Sequence, residues 1–259
     1  MRRRPVIFAL FAVLALLVVG ASQAEVLQRG NLRVNFRADF DPHALPRDHP
    51  APVDIEIRGA ISTTDGSHPP PLRWMEVELN RNGRLSTAGL PVCSAPLLQS
   101  TSTEQAMSRC GKAVVGQGRF KAEVLLGGEV PASGKIVAFN SRLNGRPALL
   151  LHFFARVPIR FTLVVPLRIA QKSRGEFGTL LRTRVPRIAG GLSSITEIDL
   201  TIGRRYGAGV HRRSYVSAAC SAPAQLNGAV FSFARARFRF EGHPDIRSTL
   251  VDSCRVRSP

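Results

Sequence analysis

Leu32-Arg33-Val34-Asn35-Phe36-Arg37 alternates an apolar with a polar side chain at every step. A period of two sends the two sets to opposite faces of an extended chain, the mark of a half-buried strand. The same alternation returns downstream. Val53, Ile55 and Ile57 interleave with Asp54, Glu56 and Arg58; Met75, Val77 and Leu79 with Glu76 and Glu78; Phe120, Ala122, Val124 and Leu126 with Lys121 and Glu123. Further strands are expected at 134–140, 147–156, 159–169, 177–185, 195–205, 213–220 and 229–241. Turn signals such as Asp65-Gly66, Asn82-Gly83, Asn144-Gly145 and Asn227-Gly228 separate them. Many short strands at this spacing predict an all-β fold, an antiparallel β-sandwich. One segment departs from it: Thr101-x-x-Glu104 fits a capping box, so one short helix is expected over about 101–109.

The N-terminus reads differently. Arg2, Arg3 and Arg4 precede an apolar run from Val6 to Gly20, and Ser22-Gln23-Ala24 is a small-x-small cleavage site. That order marks residues 1–24 as a secretory signal peptide; the apolar run is shorter than the roughly 20 residues a spanning helix needs. The rest of the chain is long enough for one sizeable core or two small ones. The expected location is therefore secreted or extracytoplasmic, associated with the cell envelope.

Four cysteines in an exported chain favour disulfides. Two of them, Cys93 and Cys220, open the same word, Cys-Ser-Ala-Pro. Glu76-Val77-Glu78-Leu79 precedes the first copy and Glu197-Ile198-Asp199-Leu200 the second. The repeated order suggests a diverged duplication: two β-lobes, 25–130 and 131–259, meeting at Gly127-Gly128-Glu129-Val130-Pro131. Four cysteines allow three pairings. The sequence-local one, Cys93 with Cys110 and Cys220 with Cys254, is preferred because it staples each lobe separately. With no CxxC, and only His243 near Cys254, zinc and redox roles are disfavoured.

Charge is uneven. The formal net charge is +18, and three of the arginines lie in the signal segment. Residues 25–130 hold 12 basic and 12 acidic side chains, whereas residues 131–259 hold 21 basic and 6 acidic. Arg235, Arg237 and Arg239 alternate on one strand and so share a face; Arg182, Arg184, Arg204, Arg205, Arg212 and Arg213 add to the excess. Such a surface attracts polyanions: an anionic envelope polymer or an anionic lipid surface. Nucleic acid is a weaker candidate, because base stacking needs exposed aromatics and Trp74, Tyr206 and Tyr215 are all there is besides phenylalanine. Arginine outnumbers lysine 32 to 4, so codon bias from a GC-rich genome is a competing source of the excess.

No nucleophile elbow, zinc-protease helix, phosphate loop or dinucleotide fingerprint occurs, and no cofactor is expected. His152, inside Leu149-Leu150-Leu151-His152-Phe153-Phe154, reads as a core histidine. Asp39, Asp41, His43, Asp48 and His49 form the weak candidate for a hard cation. Asp54, Glu56, Glu76 and Glu78 approach a glycosidase pair if their strands are neighbours; an outer face salt-bridged to Arg33, Arg37 and Arg58 is the plainer reading. The chain thus reads as an exported non-catalytic binding protein, with an exported hydrolase of glycans or phosphoesters and an envelope scaffold as rival classes.

Five further short segments stand out: Leu45-Pro46-Arg47, Gly89-Leu90-Pro91-x-Cys93, Cys110-x-x-Ala113-Val114-Val115-Gly116-x-Gly118, Ala138-Phe139-Asn140 and Ser214-Tyr215-x-x-Ala218-x-Cys220-x-x-Pro223. In these segments the chain resembles an uncharacterised group of exported β-rich proteins from high-GC Gram-positive soil bacteria. The resemblance spans most of the chain after residue 24. It implies export and a disulfide-stapled β fold, and brings no activity with it.

Overall fold

The computed structural model describes residues 25–207 and 213–257; the segment 1–24, expected to be a signal peptide, and Arg212 lie outside them. In chain order the first strands are β1 (Glu25–Arg29), β2 (Leu32–Asp41), β3 (Ala44–Leu45), β4 (Ala51–Pro52), β5 (Asp54–Thr63), β6 (Leu72–Asn80) and β7 (Gly83–Leu85). Two helices follow, α1 (Ala95–Leu98) and α2 (Thr103–Cys110). Next come β8 (Val114–Leu125), β9 (Glu129–Leu143), β10 (Arg146–Ala155), β11 (Phe161–Gln171), β12 (Phe177–Arg184) and β13 (Ser193–Ile202). The last are β14 (Arg205–Tyr206), β15 (Arg213–Ser214), β16 (Val216–Ala218), β17 (Gly228–Phe240) and β18 (Ile246–Val256).

Thirteen strands form one curled, mixed sheet, a half-barrel, in the order β1-β2-β5-β13-β8-β9-β10-β11-β12-β6-β17-β18-β3. Every pairing is antiparallel except β18 with β3. The two-lobed sandwich expected from the repeat gives way to this sheet, because strands of the two halves interleave. β13 lies between β5 and β8, and β6 lies between β12 and β17. The expected linker at 127–131 is instead the tip of the β8–β9 hairpin, where Leu125 faces Glu129. Glycine permits the close packing of β13 on β8: a Cβ at Gly118 would run into the carbonyl oxygen of Asp199.

The inner positions of the alternating strands make one large core. Phe36, Ile55, Phe120, Ile136, Leu151, Leu167, Leu200 and Phe238 are among its buried members. Its two ends meet across the curl, where the Phe36 and Phe238 rings stand edge to face at 5.3 Å and Phe40 lies 5.3 Å from Phe233. The Glu25 carboxylate on β1 accepts the Thr249 N–H of β18 at 3.0 Å. A small sheet, β4-β16-β7, packs beside the core, and its Val216 is buried there with the neighbouring Tyr215 and Val53.

A second, smaller core lies on the outer face of β9 and β10, where Val137, Phe139 and Leu150 are covered by Leu98, Ala106 and Ala113 of the helical segment. The helix expected over 101–109 is α2, one register later than Thr101-x-x-Glu104. Ser102 is the N-cap and shares a reciprocal capping box with Gln105. Thr101 is diverted: its hydroxyl donates to Leu98 O at 2.7 Å and lies 3.1 Å from His152 Nε2. Cys93 is bonded to Cys110, pinning this segment, and Cys220 to Cys254, pinning the loop after β16 to β18. The two Cys-Ser-Ala-Pro copies therefore do unlike jobs: the first leads into α1, while the second is a loop without helix.

Candidate functional site

The outer face of β12, β6 and β17 carries a row of charged side chains. Register places Arg182 opposite Glu76, Arg237 opposite Glu76 on its other side, Arg235 opposite Glu78, and both Arg184 and Arg239 opposite Trp74. The same register extends the row to Arg168 of β11, opposite Arg182, and Arg247 of β18, opposite Arg237.

The carboxylates organise these arginines. Arg235 Nε donates to Glu78 Oε2 at 2.7 Å, and Lys172 Nζ donates to Glu78 Oε1 at 2.5 Å. Burial raises the Glu78 carboxyl, but the hydrogen bonds from Lys172 and Arg235 outweigh it and hold it below the ordinary range. Asp245 accepts from Arg237 Nε at 2.6 Å and Arg239 Nε at 2.9 Å. The Arg239 bond is the chief cause of its lowered pKa, about 2; burial opposes it and Arg237 reinforces it. Arg237 and Arg239 each stand 5.5 Å from the Trp74 ring, and Arg235 stands 4.6 Å from Phe177. Arg182 reaches Glu76 at 3.7 Å.

Eight cations (Arg168, Lys172, Arg182, Arg184, Arg235, Arg237, Arg239 and Arg247) thus share one face with three carboxylates, Glu76, Glu78 and Asp245. The guanidinium groups of Arg168, Arg184 and Arg247 have no partner among the described residues and are exposed. Beside them Arg146, Arg168 and Arg182 line an open depression of about 480 Å³ at the β10–β11–β12 edge. Sequence reading missed Arg168, Arg247 and Lys172, since only strand register shows that they belong to this row.

The remaining candidate arginines lie elsewhere. Arg204 is structural, donating to the carbonyls of Lys112 and Val114 at 2.7 Å each. Arg205 stands 3.7 Å from Asp54, and Arg213 is exposed on β15.

The glycosidase arrangement does not form. Asp54 and Glu56 sit on β5, between β2 and β13, whereas Glu76 and Glu78 sit on β6, between β12 and β17. Glu56 pairs with Arg58 of its own strand. His152 is fully buried beneath the helical segment, and burial lowers its pKa, leaving a neutral core histidine bonded to Thr101. Asp39 and His43 come together at 3.1 Å, joined by Asp252, which has no counterpart in the expected loop. Asp41, Asp48 and His49 are not part of that group; Asp48 and His49 are exposed in the loop that follows. His68 forms another such group, 3.6 Å from Glu123 and 3.5 Å from Glu129.

Inside the curl lie two apolar cavities of about 120 and 100 Å³ that share Phe36, Met75, Leu151 and Ile198 as lining. Tyr215 borders the larger one; its hydroxyl is buried with no hydrogen-bond partner among the described residues, and burial raises its pKa.

Fold and site define a mainly-β, disulfide-stapled curled-sheet protein with an arginine-rich outer face. No family model, no curated protein and no solved structure matches the chain. Two disulfides suit an oxidising compartment outside the cytosol. Among the described residues no helix is long and apolar enough to cross a membrane.

Proposed function

We propose that this is an exported, non-catalytic protein that binds an anionic polymer of the cell envelope through the outer face of β11, β12, β6, β17 and β18. The observation that carries this reading is the surplus of cations over carboxylates on one continuous face, with Arg168, Arg184 and Arg247 unpaired. The carboxylates of Glu76, Glu78 and Asp245 hold neighbouring guanidiniums in fixed positions, so a ligand meets a pre-arranged array. Trp74 and Phe177 back three of those guanidiniums with ring faces. An extended polymer with a charge on each repeat matches a row of cations laid across five strands.

Counterion release makes such binding fall steeply with salt. The test is retention on a phosphodiester or uronate polymer matrix as salt rises, for the wild type and for a variant carrying Arg168, Arg184 and Arg247 as Ser. Elution of the variant at clearly lower salt supports the reading; identical elution sinks it. Anionic vesicles in a parallel arm separate the polymer from a lipid surface.

A second reading rests on the lumen. An alkyl chain suits the larger cavity, which is walled almost wholly by hydrocarbon and bordered by Tyr215, whose buried hydroxyl has no partner among the described residues. Mass spectrometry of solvent extracts from the purified protein tests it; extracts free of stoichiometric lipid remove it.

A further inference from the structure

We propose that Asp39, His43 and Asp252 bind one divalent transition-metal ion of the zinc class, at the seam where the curled sheet closes on itself. The residues come from opposite ends of the sheet: Asp39 from β2, His43 from its connection to β3, and Asp252 from β18. One ligand atom from each lies within 4.8 Å of the other two.

The hydrogen bonds around His43 set its tautomer. Nδ1 is 2.8 Å from Ser253 O. A carbonyl oxygen only accepts, so Nδ1 carries the proton and Nε2 of the neutral ring presents its lone pair. A backbone carbonyl orients metal-binding histidines in this way. The backbone is pinned as well, since the Arg255 N–H of β18 donates to His43 O at 2.9 Å, and the ring rests against Phe40 at 4.7 Å. Nε2 then lies 3.1 Å from Asp39 Oδ1, two acceptors face to face, whereas Asp252 Oδ1 makes its approach to the ring at Nδ1, 3.8 Å away. That separation is near the roughly 3.3 Å edge of a tetrahedron built on bonds of about 2.0 Å.

Asp252 supplies an independent sign. Its side chain is only 5% exposed, yet Oδ2 has no hydrogen-bond partner among the described residues. A buried carboxylate oxygen without a donor is costly, and a cation bound to it removes that cost. One imidazole and two carboxylates suit first-row ions that accept nitrogen and oxygen together, whereas magnesium and calcium prefer oxygen alone. Three protein ligands leave a fourth position open.

The competing occupant is a proton held between the Asp39 and Asp252 carboxyl groups. Protein purified without a histidine tag and stripped with chelator separates the two. On calorimetric titration with zinc chloride the wild type should take up one ion per chain, with a chelator-reversible rise in melting temperature and no response to magnesium or calcium chloride. Cobalt(II) in place of zinc should give visible absorption bands of a four- or five-coordinate site. His43→Ala and Asp252→Asn should each weaken zinc binding by at least about tenfold, the loss usual when an orienting group near a metal is removed. Should either variant fail to fold, Asp39→Asn, at a half-buried position, carries the same expectation. Absence of stoichiometric zinc in the wild type, or unchanged zinc affinity in a folded variant, overturns the site and leaves the proton as its occupant.

Discussion

Glu78 and Arg235 stand directly opposite one another on β6 and β17, with the carboxylate nearly buried and the guanidinium half in water. Lys172 closes on the other carboxylate oxygen. Removing Glu78 leaves two partly exposed cations facing each other without their shared anion, while removing Arg235 leaves Lys172 in place. Glu78→Ala should therefore cost about 1–3 kcal/mol, discounted for the exposed partners, and more than Arg235→Ala. Urea unfolding of the two variants measures the order; a larger loss in Arg235→Ala contradicts it.

Asp245 gives a pH signature. Its folded-state pKa, about 2, is below the ordinary aspartate value of 3.8. A lowered carboxylate pKa contributes stability that is complete above the unfolded value and lost as pH falls through the folded one. The stability difference between wild type and Asp245→Asn should be constant above about pH 5 and shrink between about pH 4 and pH 2. A difference that is flat to pH 2 shows that the Arg237 and Arg239 bonds do not hold in solution.

The two disulfides should contribute unequally to distinct parts of the molecule. Loop closure predicts roughly 3 to 4 kcal/mol for each, slightly more for Cys220–Cys254 with its wider separation of 34 residues. Cys93→Ser with Cys110→Ser should loosen the helical segment, raising hydrogen exchange at Thr103–Cys110 and along the outer face of β10, while the curled sheet keeps its protection. Cys220→Ser with Cys254→Ser should lower the global melting temperature. Peptide mapping under non-reducing conditions checks the pairing itself.

Gly118 is the sharpest single test of the β13–β8 contact. Its missing Cβ is the space taken by Asp199 O, backbone that has no easy escape. Gly118→Ala should destabilise by about 2–4 kcal/mol, in the range of overpacked and strained sites. The same change at Gly30, which has nothing within 4 Å but a positive φ of 62°, should cost about 1 kcal/mol.

The strands were legible because alternation survives wherever one face is dry, as at 32–37, 53–58 and 75–79. β18 was hidden because its inward positions include Ser248 and Asp252, which break the apolar pattern on the buried face. Alternation also carries no information about neighbours. Nothing local to Leu72–Asn80 says that it lies between β12 and β17, and that pairing is what turns Glu76 and Glu78 from a suspected catalytic set into anchors for Arg182 and Arg235. The helix boundary slipped by one residue because Thr101/Glu104 and Ser102/Gln105 both satisfy the capping pattern; tertiary bonding of Thr101 to Leu98 and His152 decided between them. Asp252 was invisible as a partner of His43 for the same reason as the arginine row: the two are 209 positions apart and meet only across the seam.

The interleaving of β13 and β6 with strands of the opposite half also sets a timetable. A chain emerging from its N-terminus can form β1-β2-β5 and the β8-β9-β10-β11 meander early, but each leaves a long bare edge until residues 193–202 and 228–256 arrive. Such non-local pairing is slow, and open edges invite pairing with other chains. Completion therefore waits on residues 228–256, and any product cut short before β17 is left with β6 unpaired along one side, a template for aggregation rather than a smaller working protein.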